Sequence, residues 1–186
     1  TVKREGDMLL QIAVPVSDEG KLGVIARNPY TLRTQEYTFW QSIRNGVCGI
    51  GTTTRFDPSR VDARIAAEVK NFDPGRYFDA KEARRMALFT QFAVAAATDA
   101  WKDAGLDKGG VAPERAAVIL GNGIGGREVD TEAYKMLAER GPSRLSPMTI
   151  PKIIPNEAAG NISMNLNIKG QVHTVVTACA SGTDAM

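Results

Sequence analysis

Histidine and cysteine are scarce in this sequence of 186 residues. It contains a single histidine, His173, and two cysteines, Cys48 and Cys179, with no Cys-x-x-Cys pair. Zinc sites and disulfide frameworks need several such residues at short spacing, so neither a metal site nor a disulfide is predicted. Isolated cysteines of this kind favour a reducing compartment, and we expect a cytoplasmic protein.

Net charge and long apolar runs are also limited. The 23 Lys and Arg residues nearly balance the 21 Asp and Glu residues, which leaves a net charge of +2. A nucleic-acid-binding surface usually needs a dense basic face, so no nucleic-acid partner is expected. No stretch approaches the roughly 20 apolar residues of a membrane-spanning helix. With 43% hydrophobic and 24% charged residues, the composition is that of a globular chain, and one domain is predicted.

Strand and helix patterns alternate along the chain, which predicts a layered α/β fold. Short runs of apolar and β-branched residues indicate buried strands over 9–16, 116–120 and 172–177. Apolar residues at helical spacing predict helices over 34–45, 79–104, 128–140 and 156–166. Asp79 and Glu82 form a capping-box pattern at the start of the second helix, and Gly46 and Gly105 are expected to end two of them. Residues 46–76 and 141–155 are predicted to be loops.

The glycine-rich stretch after the strand over 116–120 allows one alternative function. Gly121, Gly123 and Gly126 fit the G-x-G-x-x-G pattern of dinucleotide-binding proteins, after a strand and before a helix. That fingerprint also needs a second strand that ends in an acidic residue soon after the helix. Here the proline-rich "PSRLSPMTIPKIIP" follows instead. Tight NAD or NADP binding by the intact protein would support this alternative.

Cys179 directly follows the last predicted strand and precedes small residues at a predicted helix start. A sharp turn there would expose the sulfur at the edge of the sheet, with the helix amides facing it. Those amides favour the thiolate, which is the attacking species, and could hold the oxyanion of a thioester intermediate. The alternative is a small buried hydrophobic residue, as most free cysteines are. Local composition alone favours that alternative.

Several segments resemble β-ketoacyl-ACP synthases of the type II elongating kind, where ACP is acyl carrier protein. They are "KEARRMALFTQFAVAAATDAWKDAGL", "AAVILGNGIGG", "RLSPMTIPKIIPNEAAGNISMNLNIKG" and "VVTACASGTDAM", in the family's order and with nearly its spacing. The resemblance covers residues 40–186. It implies the thiolase-like fold, an α/β architecture of αβαβα layers. Residues 1–186 would form mainly its N-terminal half, as one ketosynthase domain without metal or cofactor.

The resemblance also implies a reaction. Cys179 would take the acyl group from acyl-ACP, with its own backbone amide in the oxyanion hole, and malonyl-ACP would then lose carbon dioxide. The resulting carbanion would attack the acyl thioester to give a 3-ketoacyl product in fatty acid elongation. Ile124 matches a position that gates the acyl pocket. Met148 and Thr149 stand where the family often has aromatic residues that line the partner subunit's pocket.

Binding partners follow from the same resemblance. Lys81, Arg84 and Arg85 match the basic cluster that docks the acidic carrier protein, and their spacing places them on one helix face. The strand through His173 and Val175 resembles the one that meets its twofold mate, so a homodimer is expected. Cys48 matches a position that is commonly serine, and we assign it no chemistry.

The family's two catalytic histidines, supporting lysine and phenylalanine gate would all follow residue 186. His173 lies on the order of 20 Å along an extended strand from Cys179, too far to act as its base. We therefore expect the sequence to be the front part of a longer synthase. Four alternatives stay open besides dinucleotide binding: an aromatic polyketide ketosynthase, a degradative thiolase, an initiating synthase that uses acyl-CoA, and a non-catalytic half-length subunit.

Overall fold

The computed structural model describes residues 8–9 and 44–186. The predicted helix over 34–45 and most of the predicted strand over 9–16 lie outside these residues. The chain divides into two compact units, one containing residues 74–186 with the strand at 8–9, and the other containing residues 44–73. None of the helices in the described part has the length and apolar character needed to cross a bilayer.

The described strands, in chain order, are β1 (Met8–Leu9), β2 (Ile50–Thr52), β3 (Ile65–Ala67), β4 (Ala116–Gly121) and β5 (Val172–Val175). The described helices are α1 (Ala80–Arg85), α2 (Leu88–Asp103), α3 (Arg127–Arg140), α4 (Thr149–Ile153), α5 (Glu157–Asn165) and α6 (Ser181–Asp184). Parallel strands joined through helices are the arrangement of an α/β fold, as the sequence predicts.

The sheet of the larger unit is parallel, with the strand order β1-β4-β5. β4 occupies the centre because its apolar run tolerates burial on both faces. Its last residue, Gly121, pairs with Val175 at the end of β5. The two strands therefore end at the same edge of the sheet, and the glycine loop and the Cys179 turn both leave from that edge.

Helix α5 contacts β4 and β5 and also packs against α2. Small residues dominate this core: Ala95 and Ala97 on α2, and Ala158 and Ala159 on α5, are almost completely buried. Alanine at such positions lets the helix backbones approach closely and costs no side-chain entropy. The helix predicted over 156–166 is confirmed, with its bounds one residue shorter at each end.

The prediction of a continuous helix over 79–104 is wrong in one respect, because the segment forms two helices, α1 and α2, with a break between them. Met86 and Ala87 adopt extended conformations, with φ/ψ of −108°/141° and −67°/160°. Neither proline nor glycine causes the break. The predicted capping box at Asp79 and Glu82 is confirmed, and Gly105 follows the second helix with φ +72°.

The smaller unit corrects the prediction of a loop over 46–76. β2 and β3 form an antiparallel pair in which Ile50 faces Ala67 and Thr52 faces Ile65. Beside them the Glu68 carboxylate accepts hydrogen bonds from the hydroxyls of Thr53 and Thr54, each 2.7 Å away. Strands of three residues leave too short an alternating pattern to be recognised in a sequence.

Two smaller differences concern the other predicted segments. The predicted loop over 141–155 contains the short helix α4, and the strand predicted over 172–177 ends at Val175. The strand over 116–120 and the helix over 128–140 are confirmed within one residue at each end. Gly46 has the expected left-handed φ of +62°.

Candidate active site

Cys179 lies on a tight turn just beyond the end of β5. The turn is a single 3-10 segment, Ala178–Ala180, which leads directly into α6. Ala178 enters it with φ +52°, a value that costs an L-residue with a Cβ roughly 1–2 kcal/mol. The Cys179 side chain is exposed. The structure therefore rejects the alternative of a small buried hydrophobic residue.

Ser181 holds this turn in place. Its side chain is almost fully buried, and its Oγ accepts a hydrogen bond from the backbone amide of Thr177 at 2.8 Å. The same hydroxyl lies 2.7 Å from the carbonyl oxygen of Ala178 and 3.3 Å from that of Asn122. A second bond, from Thr177 Oγ1 to Asp184 Oδ2 at 2.5 Å, ties the turn to α6. These contacts compensate for the unfavourable φ of Ala178.

The glycine loop, residues 121–126, packs against this turn through its backbone. A Cβ on Gly121 would overlap the carbonyl oxygen of Ser181, and one on Gly123 would lie 3.4 Å from the carbonyl oxygen of Ala178. Glycine at 121 is therefore required by close approach. The two segments that the sequence singles out separately, the cysteine turn and the glycine loop, are neighbours.

Asn122 fixes the shape of the glycine loop. Its Oδ1 accepts hydrogen bonds from the amides of Ile124 and Gly125 at 3.2 and 3.1 Å, while its Nδ2 donates to the carbonyl of Pro155 at 2.9 Å. Sequence reasoning missed both Asn122 and Ser181. An Asn next to glycines after a strand is a turn signal that could have indicated the first. Nothing local distinguishes Ser181, because its partners come from tertiary contacts.

The residues predicted to line an acyl pocket lie on two elements. Ile124 stands at the middle of the glycine loop with 64% of its surface exposed, next to Gly123, which approaches Ala178. Met148 is exposed immediately before α4, and Thr149 is its half-buried first residue. The structure thus brings Ile124 to the side of the cysteine turn, and it places Met148 and Thr149 on a separate surface helix.

The three cations predicted to bind a carrier protein lie on α1. Lys81, Arg84 and Arg85 are all exposed. The carbonyl of Arg84 accepts a hydrogen bond from Nζ of Lys152, a residue of α4, at 3.1 Å. Helix α1 is thereby attached to α4, the end of which also contacts the glycine loop.

His173 lies near the start of β5, where it pairs with Ile119, and its side chain is exposed. The cysteine turn leaves from the opposite end of the same strand. Within the described residues β5 pairs on one side only, with β4. Val172, the first residue of this strand, and Val176, which directly follows it, are among the exposed apolar residues.

A half-buried carboxylate lies at the break between α1 and α2. Glu157 accepts hydrogen bonds from the Thr90 hydroxyl at 2.6 Å and from the Ala87 amide at 3.3 Å. Burial raises the pKa of Glu157, while these two bonds and the charge of Lys152 act in the opposite direction. Glu128 accepts from the Leu88 amide at 3.1 Å. The first amides of α2 are thus capped by side chains distant in the sequence.

The geometry of the glycine loop does not suit a dinucleotide. A Cβ on Gly121, Gly125 or Gly126 would overlap the carbonyl oxygen of Ser181, Ile153 or Lys152, respectively. In the dinucleotide fingerprint the second glycine, here Gly123, serves approach to a pyrophosphate, whereas Gly123 lies against the cysteine turn, with its Cβ position 3.4 Å from the carbonyl oxygen of Ala178. Across residues 8–9 and 44–186, no group of three or more His, Cys, Asp or Glu side chains is placed to hold a metal ion.

The described residues thus form a parallel α/β sheet with an exposed cysteine on a hydrogen-bonded turn at its edge. The model of the family described as "Beta-ketoacyl synthase, N-terminal domain" matches residues 22–186. The chain belongs to this family of β-ketoacyl synthases. Its resemblance to the elongating condensing enzymes is thereby confirmed.

Two similar proteins support the assignment, and a third supports the fold. The 3-oxoacyl-[acyl-carrier-protein] synthase 2 of Staphylococcus aureus (strain N315) is 44% identical over 149 residues, 80% of this chain and 36% of the relative. The solved ishigamide ketosynthase/chain length factor has a TM-score of 0.63 and 31% identity, and the match covers 73% of this chain and 34% of that one. A type II polyketide ketosynthase in complex with its acyl-carrier protein has a TM-score of 0.58 and 24% identity, with 62% and 33% coverage.

The last of these comparisons concerns the fold alone, and it agrees with the predicted thiolase-like architecture. The chain spans about a third of the length of the relatives that it matches, as the 36% coverage of the Staphylococcus aureus protein illustrates. Activity, substrates and partners of the whole protein are therefore matters for proposal.

Proposed function

We propose that residues 1–186 are the N-terminal ketosynthase domain of a β-ketoacyl-ACP synthase in which Cys179 accepts the acyl group. The observation that carries the proposal is the exposed sulfur on a turn held by Ser181 at the carboxyl edge of the parallel sheet. The 44% identity to a 3-oxoacyl-ACP synthase 2 supports the same chemistry.

The proposed first step is a transthioesterification. The thiolate of Cys179 attacks the carbonyl carbon of an acyl thioester on a carrier protein, and the tetrahedral oxyanion collapses with release of the carrier's thiol, which takes up a proton. A carbon–sulfur bond to Cys179 forms, and the one to the carrier breaks. In the resemblance, malonyl-ACP then loses carbon dioxide, and its carbanion displaces the cysteine to give the 3-ketoacyl product. Groups beyond residue 186 would drive that step.

Lys81, Arg84 and Arg85 are proposed to dock the acidic acyl carrier protein. All three are exposed on a short helix with a regular capping box, so their cationic heads can reach an approaching partner. Such charges raise association rates in a salt-dependent way. A related fold has been solved with its own acyl-carrier protein.

A homodimer through β5 is also proposed. Within the described residues the outer side of β5 is unpaired, and an unpaired strand edge favours pairing with another chain. Met148 and Thr149 would then lie near the acyl pocket of the partner subunit, and Ile124 near that of its own. The proposed location of the enzyme is the cytoplasm.

A polyketide ketosynthase is the second candidate. The 31% identity and the TM-score of 0.63 to the ishigamide ketosynthase/chain length factor favour it. The chemistry at Cys179 would be the same. Mass analysis of the carrier-bound products, after incubation with malonyl-ACP and no reductase, separates the two. One added ketide unit indicates fatty acid elongation, whereas several successive ketides indicate a polyketide ketosynthase.

The test of the proposal uses the full-length protein and the two exposed cysteines found within residues 44–186. Intact mass is measured before and after incubation with acyl-ACP, for the natural sequence and for Cys179→Ala and Cys48→Ala. We expect one acyl adduct in the natural protein and in Cys48→Ala, and none in Cys179→Ala. Cys48 is the matched control because its thiol is also free and exposed. An adduct that persists in Cys179→Ala would refute the assignment.

A further inference from the structure

The orientation of α1 cannot come from the helix itself. It has six residues, and isolated helices shorter than about 12–15 residues are unstable in water. Met86 and Ala87 interrupt the helical hydrogen bonds that would otherwise join it to α2. Contacts with other elements must therefore fix where its exposed cations point.

Gln91 of α2 supplies two of those contacts, because its Nε2 donates to the carbonyls of Ala83 at 2.9 Å and of Met86 at 3.2 Å. Others come from one short segment, residues 152–157, between the end of α4 and the start of α5. Lys152 Nζ donates to the carbonyl of Arg84 at 3.1 Å, which anchors the last turn of α1. Glu157 accepts from the Ala87 amide at 3.3 Å and from the Thr90 hydroxyl at 2.6 Å, which anchors the break and the first turn of α2. Thr90 is completely buried, so its hydrogen bond to Glu157 lies at the edge of the core.

The same segment holds the glycine loop. The carbonyl of Pro155 accepts from Nδ2 of Asn122 at 2.9 Å, and the carbonyl of Ile153 accepts from the Gly126 amide at 3.0 Å. Gly125 and Gly126 have no room for a Cβ because the carbonyls of Ile153 and Lys152 lie against them. The glycine loop in turn meets the cysteine turn, through the approach of Ser181 Oγ to the Asn122 carbonyl at 3.3 Å.

We propose that Lys152 and Glu157 are positioning residues that fix the carrier-docking helix α1 relative to the Cys179 turn. The 152–157 segment contacts α1 on one side and the loop beside Cys179 on the other. A carrier protein bound to α1 is thereby held at a set distance and angle from the sulfur that must receive its acyl group. Misplacement of a substrate by about 1 Å lowers a rate by on the order of a hundredfold.

This inference depends on the proposed function, both for the nucleophile and for the docking helix. It predicts a difference between two thioester substrates that a purely structural role of Lys152 and Glu157 would not produce. A thioester delivered by a carrier protein needs the correct placement of α1, whereas a small thioester that diffuses to Cys179 does not. Loss of the anchors should therefore slow acylation by acyl-ACP selectively.

The experiment measures the second-order rate of acylation of Cys179 in the full-length protein with two donors of one acyl chain, acyl-ACP and acyl-N-acetylcysteamine. Lys152→Met keeps the aliphatic stem and removes the hydrogen-bond donor, and Glu157→Gln keeps the size and removes the charge. Lys135→Met is the control for loss of one positive charge, because Lys135 is exposed on α3. Thermal unfolding is recorded for every variant.

We expect Lys152→Met and Glu157→Gln to lower the rate with acyl-ACP by about tenfold and the rate with the small thioester by less than about twofold. Lys135→Met should change neither rate by more than about twofold. Equal losses with both donors, or no loss with either, would overturn the inference. Glu157→Gln decides the outcome if Lys152→Met does not fold.

A further variant separates this inference from the proposed function. Charge reversal of Lys81, Arg84 and Arg85 to glutamate should abolish the preference for acyl-ACP at low salt. If it does so while Lys152→Met and Glu157→Gln behave like the natural protein, carrier-protein docking on α1 is supported and the positioning role of Lys152 and Glu157 is wrong. If charge reversal has no effect, the docking proposal itself is wrong, and the positioning role falls with it.

Discussion

Replacement of Ser181 by alanine should slow the acylation of Cys179 without unfolding the protein. The change removes the acceptor for the Thr177 amide and the hydroxyl that lies 2.7 Å from the Ala178 carbonyl. Each hydrogen bond lost at a buried site costs about 1–3 kcal/mol, and the lower part of that range applies here because Thr177 is exposed. Ala178 also gains about 1–2 kcal/mol if it leaves its positive φ.

Because this strain at Ala178 is present in the natural protein as well, the lost hydrogen bonds alone set the change, about 1–2 kcal/mol, which corresponds to a roughly 5- to 30-fold lower ratio of native to relaxed turn. We expect the rate of acyl-enzyme formation to fall by the same factor. The assay is intact-mass analysis of samples quenched at successive times after mixing the full-length protein with acyl-ACP. The melting temperature, measured in parallel, should show that the variant is folded.

Ser163→Ala is the matched control. Ser163 Oγ donates to the Ile168 carbonyl at 2.8 Å at the end of α5, so the same side-chain change removes one hydrogen bond elsewhere in the same unit. Its expected cost is about 0.5–1.5 kcal/mol of stability, with an unchanged rate of acylation. The reasoning is refuted if Ser181→Ala is acylated at the natural rate, or if Ser163→Ala is slowed to the same extent.

Two further predictions concern a glycine and a carboxylate. Gly121→Ala should destabilise the protein by about 1–3 kcal/mol in urea unfolding, because the added Cβ would overlap the Ser181 carbonyl. The control is Gly160→Ala, in the middle of α5 where a Cβ meets no other atom, and it should stabilise the protein by about 0.5–1 kcal/mol. Equal effects of the two substitutions would contradict the packing argument. Hydrogen bonds from Thr53 and Thr54 lower the pKa of Glu68 from 4.5 to about 2. Because the pKa of Glu68 is lower in the folded state, the ionised carboxylate contributes to folding stability fully above pH 4.5, and this contribution is lost as the pH falls to about 2. An NMR titration of the Glu68 carboxyl with a midpoint near 4.5 would refute the prediction.

The sequence alone predicted the features that depend on local chemistry. The apolar run of β4, the helical spacing of α3 and the capping box of Asp79 and Glu82 each depend on residues within a few positions of one another, and all three are present. Four segments in the family's order and spacing, among them those around Gly121 and Cys179, indicated the family. A motif of this kind is short and continuous, so it can be recognised without a fold.

Tertiary structure decided the features whose partners are distant in the sequence. Nothing in the segment that leads into α2 indicates a break at Ala87, because the carboxylate that caps it belongs to Glu157, 70 positions away. The Ser181 hydroxyl has these hydrogen-bond partners only because the end of β5 and the glycine loop bring Thr177 and Asn122 close to it. A polar side chain forms hydrogen bonds with whichever donors and acceptors the fold places within about 3 Å of it. The sequence therefore singled out Cys179 as the proposed nucleophile, and the fold determined which residues hold its turn in place.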